Sequence, residues 1–280
     1  MITFPCAKIN LGLNIVGTLP NGYHSLETVF YPIPIYDALE IKAMDAKFPS
    51  DIPCDLKVTG NGIDCNERSN LVVKAYDLLA KDFSLPRVHA HLYKQIPSQA
   101  GLGGGSSDGA YMIRLLDERF RLNIGNPEME RYAARLGADC AFFITAEPSY
   151  GSGIGDILEP ADSPKGNLSG YCLVVVKPDI SVSTAEAFQD IQPHKPAKCC
   201  REVVRQPIDT WKEDLVNDFE KPVFKKWPEL KAIKQHLYNR GAVYAQMSGS
   251  GSAIFGIFRQ KTLGIEEEFP GAYVAVKVLD

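Results

Sequence analysis

Residues Pro97-Ser-Gln-Ala-Gly-Leu-Gly-Gly-Gly-Ser-Ser-Asp108 place four glycines, Gly101, Gly103, Gly104 and Gly105, within five positions. Such a run is costly in conformational entropy and is kept where backbone must approach something closely. Successive main-chain N–H groups in a loop of this kind form an anion-binding nest. A helix that follows adds the positive end of its dipole, and Ser106 and Ser107 offer hydroxyls to phosphate or to a Mg²⁺ ion held on it. The flanks fit: Val88–Tyr93 reads as a strand, and Ser107–Phe120 as a helix with Ala110, Ile113, Leu116 and Phe120 inward. Two other phosphate loops are excluded by spacing. A Walker A loop needs Gly-Lys-Ser/Thr, and no lysine follows here until Lys165. The dinucleotide fingerprint needs an acidic residue at a strand end about 20 residues on, which is missing. The bland alternative, a flexible turn that binds nothing, leaves strand, loop, polar cap and amphipathic helix together by accident. The segment from Pro97 to Ser107 is therefore read as a phosphate site.

A second glycine-serine segment, Met247-Ser-Gly-Ser-Gly-Ser-Ala-Ile-Phe255, reads as a plain hairpin turn or as a wall packed against the first loop. Gly151-Ser-Gly-Ile-Gly155 reads as a turn. Residues 2–60 are mostly strands and turns: Lys8–Val16 alternates roughly, and Leu19-Pro-Asn-Gly22 is a turn signal. Asn70 is placed to cap a helix whose Leu71, Val72, Ala75, Leu78 and Leu79 share a face. Another helix fits Pro127–Leu136, with Asn126 as N-cap and Gly137 as its stop. The Gly-, Pro-, Ser- and Asp-rich stretch Gly151–Gly170 marks a domain boundary. Beyond it Tyr171–Val176 reads as a buried strand, Trp211–Phe219 and Pro228–Arg240 as helices, and Ser252–Phe258 and Ala272–Val278 as strands. The pattern predicts two α+β domains, residues 1–155 and 170–280. His89 and His91 share a strand face without a third metal ligand nearby, which reads as a surface strand. Lys94 and Gln95 either meet the nucleotide or end a solvated strand.

Composition narrows the partners. Hydrophobic residues make up 45% and charged residues 23% of the 280, the mixture of a folded globular protein. The formal net charge of -4 offers no broad positive field for nucleic acid or an anionic membrane, so phosphates must be met locally. No run approaches the roughly 18 apolar residues of a membrane span, and the first residues carry no basic leader pattern. The seven cysteines are scattered and never spaced C-x-x-C, which argues against a disulfide framework or a zinc site and for the reducing cytoplasm.

Three segments in order, Ala7-Lys-Ile-Asn-Leu-Gly-Leu13, Gly101-Leu-Gly-Gly-Gly-Ser-Ser-Asp108 and Met247-Ser-Gly-Ser-Gly251, resemble the GHMP kinase superfamily. Asn21-Gly-Tyr-His24 and Leu136-Gly-Ala-Asp139, with Phe142-Phe143 after it, are similar to the subgroup that acts on a cytidyl-linked polyol. The resemblance runs from about residue 5 to 258. It implies two α+β domains, the N-terminal one ribosomal S5 domain 2-like and the C-terminal one an α/β sandwich, with ATP in the central cleft. It implies Lys8 and Asp139 as the catalytic pair. ATP is expected to carry Mg²⁺ in with it, with Ser107 a candidate ligand; the expected partners are small-molecule substrates, and the expected state is a monomer or weak homodimer. The chain departs from the family's pattern at Leu19-Pro-Asn-Gly22, where Arg-x-Asp-Gly is usual. It departs also at Gly109, where alanine is usual, and at Cys140-Ala141, where Val-Pro is usual.

In this resemblance Asp139 is the general base, and Lys8 keeps it charged and polarises the attacking hydroxyl. Read alone, Asp139 is a loop carboxylate and Lys8 a strand-edge charge. Asn10 lines the polyol site, and Thr184 touches the polyol. Tyr23 and His24 stack on and read a cytosine that Phe188 sandwiches from its other side; read alone, they are half-buried surface residues. Two rivals remain. A GHMP kinase acting on mevalonate, homoserine or a sugar has no use for an aromatic base clamp. A non-catalytic nucleotide-binding homologue has no need of both Lys8 and Asp139.

Overall fold

The computed structural model describes residues 1–20, 22–45, 47–61, 67–161, 168–188 and 191–279. Asn21, Cys65, Lys165 and part of the expected boundary stretch lie outside the described residues. The chain forms two compact units that interleave along the sequence. The first comprises Met1–Ala7, Ile35–Ser98 and Gly103–Ala146; the second comprises Lys8–Pro34, Gln99–Leu102 and Glu147–Asp280.

The first unit is helices packed on a four-stranded sheet. Strands β1 (Ile2–Thr3), β4 (Ala38–Ala43), β6 (Val88–Lys94) and β5 (Cys54–Gly60) are neighbours in that order. β5 and β6 run parallel, and α1 (Leu71–Leu79) is the crossover between them. Asn70 caps α1 as expected, its side chain accepting from the Val72 N–H at 2.9 Å. Along β6, Val88, Ala90, Leu92 and Lys94 are buried, while His91 and Tyr93 are exposed. His89 and His91 spend their ring nitrogens on Asp55 and Thr59 of β5, so the surface-strand reading holds.

Helix α2 begins at Gly104, three residues before the expected Ser107, and runs to Phe120. The reason is packing. A Cβ on Gly104 would stand 2.8 Å from Ile96 Cγ2, so only glycine lets the first turn settle on that side chain. Ala110, Ile113 and Leu116 are buried and Phe120 half-buried. Helix α3 spans Asn126–Ala134, with Gly125 rather than Asn126 at the cap and proline in its first turn.

The second unit holds two antiparallel sheets. One orders β2 (Cys6–Thr18), β3 (His24–Tyr36), β7 (Ser149–Ser152) and β8 (Ile157–Pro160). The other orders β10 (Tyr244–Met247), β11 (Ile254–Phe258), β9 (Cys172–Lys177) and β12 (Tyr273–Val278), against which helix Pro228–Asn239 packs. The turn between β7 and β8 is the one Gly151–Gly155 predicted. β2 does not alternate: Cys6–Ile15 is buried throughout, and its polar members find partners inside. Asn14 Nδ2 donates to Glu27 Oε1 at 2.9 Å and Asn10 Nδ2 to Thr28 Oγ1 at 3.0 Å.

The predicted helix Trp211–Phe219 is not continuous. It stops after Trp211–Asp214, and helix Glu220–Lys226 starts afresh. Between them the backbone pairs with β2: Leu13 N donates to Val216 O at 2.8 Å and Asp218 N to Leu13 O at 2.9 Å. Asn217 Nδ2 meanwhile donates to Met247 O and Gly249 O. Tertiary hydrogen bonds win over local helical periodicity here.

Candidate active site

In the second unit the charged centre is Lys8. Its side chain is only 3% exposed, and Nζ donates to Asn10 Oδ1 at 2.6 Å and to Gly101 O at 2.9 Å. The Phe30 ring lies 5.6 Å from Nζ. Asn10 is fixed in turn by Thr28, whose hydroxyl donates to Gly12 O at 2.5 Å. Gln99–Leu102 docks on this strand through Lys8 N to Leu102 O at 3.0 Å. It docks also on the β10–β11 loop, through Ala253 N to Ala100 O at 3.1 Å and Ser248 Oγ to Gly101 O at 2.8 Å. Both readings of the second glycine segment therefore hold: it is a hairpin loop, and it packs on the first glycine segment. Gly101 has φ +71°, and a Cβ there would lie 1.9 Å from Ser248 O, so no other residue fits. One carbonyl thus gathers the ammonium of Lys8 and the hydroxyl of Ser248.

His24 and Phe188 also meet in this unit. Their rings stack with centroids 5.0 Å apart and 8° between planes, and Phe219 meets Phe188 edge-on at 4.8 Å. His24 and Phe188 are thus in direct ring-to-ring contact, with no third ring between these two. His24 Nδ1 is buried without a hydrogen-bond partner. Tyr23 is 62% exposed. Thr184 is exposed on the one-turn helix Thr184–Ala187, which Ser183 and Glu186 cap reciprocally.

In the first unit, Pro97 and Ser98 lead in, and Gly103 caps α2 without a side-chain hydrogen bond. The N–H groups of Gly104, Gly105 and Ser106 stand in the first helical turn, where no intrahelical acceptor exists. Ser107 Oγ is buried without a partner. A Cβ on Gly105 would meet nothing within 4 Å. This is a 17-residue helix presenting an uncapped positive end.

The same unit packs the turn that carries Asp139 on α2. Asp139 stands half-buried in that turn, Ala138–Cys140. Cys140 is fully buried, which pushes its thiol up to about 12 against a hydrogen bond with Ser106. Among the described residues no group of three or more His, Cys, Asp or Glu could hold a metal ion.

Sequence reasoning missed the brace beneath this loop. Lys94 does not reach solvent and is not a free strand end: its Nζ, 3% exposed, is paired with Asp37 and, at 2.7 Å, with Asp108 Oδ2. Asp37 Oδ1 accepts from the N–H groups of Gln95 at 2.6 Å and Ile96 at 2.9 Å. The network ties the start of the loop to the second turn of α2. Burial raises the Asp108 pKa against the pull of Lys94. The readable signal was a lysine at an inward-facing position of an alternating strand, where a charge stays only if paired.

The family model for the GHMP kinases N terminal domain matches residues 70–147, and that for GHMP kinases C terminal matches 200–269. The chain belongs to the GHMP kinase family. A Bacteroides fragilis relative, a 4-diphosphocytidyl-2-C-methyl-D-erythritol kinase, is 51% identical over 98% of this chain and 97% of its own. A crystal structure of 4-(cytidine 5'-diphospho)-2C-methyl-D-erythritol kinase superposes with TM-score 0.79 and 27% identity, covering 99% of this chain and 98% of that one. The Methanococcus jannaschii mevalonate kinase superposes with TM-score 0.69 at 14% identity, covering 100% of this chain and 98% of that one, a likeness of fold alone. This GHMP kinase thus has the family's two-domain architecture of mixed helices and sheets.

Proposed function

We propose that this GHMP kinase transfers the γ-phosphoryl group of ATP to the 2-hydroxyl of 4-diphosphocytidyl-2-C-methyl-D-erythritol, in the non-mevalonate route to isoprenoid precursors. The observation that carries the reading is the near-full-length relative that is 51% identical and bears that activity in its name. The buried Lys8–Asn10 pair and the uncapped start of α2 support it chemically.

In this reading the N–H groups of Gly104–Ser106 and the Ser106 and Ser107 hydroxyls hold the β- and γ-phosphates, and Gln99–Gly103 shapes the approach. Mg²⁺ carried by the nucleotide would supply charge neutralisation at the transferring group, and Ser107 Oγ, without a partner among the described residues, is the candidate side-chain oxygen that would hold it. Asp139 takes the proton of the attacking hydroxyl, the new O–P bond forms, and the bond to the β-phosphate oxygen breaks to release ADP. Lys8 supplies the cation that stabilises the developing alkoxide, and Asn10 orients the Lys8 ammonium. Tyr23 and the His24–Phe188 pair take the cytosine, whose polar edge satisfies His24 Nδ1, and Thr184 meets the polyol. Turnover of ATP should follow the cytidyl substrate and stay at background with mevalonate or homoserine. Turnover with mevalonate as fast as with the cytidyl substrate would defeat the assignment.

A further inference from the structure

Helix Glu220–Lys226 and the first turn of helix Pro228–Asn239 border a cavity of about 840 Å³ in the second unit. None of the residues assigned above to nucleotide or acceptor lines it. Its cationic lining is Lys221 and Lys225, one helical turn apart on the same face, together with Lys231. Among the described residues none of these three ammonium groups is in an ion pair, whereas their neighbours Lys226 and Lys234 pair with Glu186 and Glu220.

The carboxylates and the imidazole of the lining do not supply the missing counter-charge. Glu220 accepts from Met247 N at 2.9 Å through Oε1 and from Lys234 at 2.6 Å through Oε2. Asp218 Oδ2 accepts from Ile15 N at 2.6 Å and lies 3.5 Å from His194 Nδ1. Three ammonium groups outside any ion pair among the described residues thus gather, beside Asp218 and Glu220, at one cavity of a chain whose net charge is -4. Like charges at helical spacing repel, an arrangement that an anion relieves. The rest of the wall is the apolar side chains Ile191, Pro222, Phe224 and Val216, the last 41% exposed, with the amides Gln192 and Asn217 between them.

We propose that this cavity binds an organic diphosphate, its phosphates on Lys221, Lys225 and Lys231 and its apolar portion on Val216 and Phe224. The site is separate from catalysis. The test is calorimetric titration of the full chain, saturated with a non-hydrolysable ATP analogue so that the α2 start is covered. Butyl diphosphate and inorganic pyrophosphate serve as probes. Butyl diphosphate should bind about tenfold more tightly than pyrophosphate, because its alkyl chain leaves water. Both affinities should fall with added salt. The double variant Lys221→Gln/Lys225→Gln should weaken both by about tenfold while kcat with the cytidyl substrate stays unchanged, and Val216→Ser should weaken butyl diphosphate alone. Absence of binding, or binding that the lysine substitutions do not alter, overturns the proposal. Equal affinity for the two probes overturns the apolar half of it. Neither result touches the kinase assignment, which is read from turnover.

Discussion

Lys8 and Asp108 are both charges kept inside. Lys8 Nζ donates to Asn10 Oδ1 and Gly101 O, which fix its direction. Asp108 is 2% exposed, shares Lys94 with Asp37, and keeps Oδ1 without a hydrogen-bond partner. Its folded pKa is raised, by burial first. A raised pKa contributes stability that is present below the ordinary Asp value of 3.8 and is lost as pH rises through the folded value. Asn mimics the protonated side chain, so Asp108→Asn should match the wild type in acid. It should gain on it as pH rises, by up to about 1.4 kcal/mol per pH unit within the window. Denaturant unfolding of both proteins across that range checks this, and a wild type that gains on the variant would mean that pairing with Lys94 outweighs burial. At the chemical end of the site, Asp139→Asn keeps shape and removes the proton acceptor. It should lower kcat by roughly 10²–10⁴ with the KM for ATP little changed. Near-normal turnover in that variant would remove Asp139 from the role of base.

At the scale of elements, the start of α2 makes the sharpest prediction. Gly104 packs on Ile96, so enlarging it would disturb the core and mix two effects. Gly105 is exposed, and a Cβ there meets only open space. Gly105→Val should leave stability within about 0.5 kcal/mol. It should raise the KM for ATP by on the order of tenfold or more, because the added methyls occupy the approach to the helix N–H groups. Equal nucleotide affinity in variant and wild type, by calorimetry, would place the phosphates elsewhere. The existence of this element was legible in its sequence, since glycines followed by Ser-Ser-Asp and an amphipathic run have few other uses. Its first residue was not legible, because the fit of Gly104 on Ile96 is a tertiary contact. The same holds for Trp211–Phe219, whose helical period gave way to pairing of Val216 and Asp218 with Leu13. The aromatic wall was half legible. Tyr23, His24 and Phe188 could be named from motifs, but the direct stacking of His24 on Phe188 depends on a contact across more than 160 residues of chain.

For the whole molecule, order along the chain and order in space diverge. Lys8–Pro34 folds with Glu147–Asp280, and the glycine segment itself is divided between the two units after Ser98 and after Leu102. No composition shift announces such interleaving, whereas the spaced motifs do announce the family. In the proposed function this kinase recognises its acceptor through the base and phosphorylates it at the far end. The most direct measurement is kcat/KM with ATP for 4-diphosphocytidyl-2-C-methyl-D-erythritol against the same polyol phosphate lacking the cytidyl group. Stacking contributes about 1–3 kcal/mol, and the hydrogen bond at His24 adds to it, so the cytidyl substrate should be favoured by roughly 100-fold or more. Equal kcat/KM for the two acceptors would mean that the base plays no part in acceptor recognition.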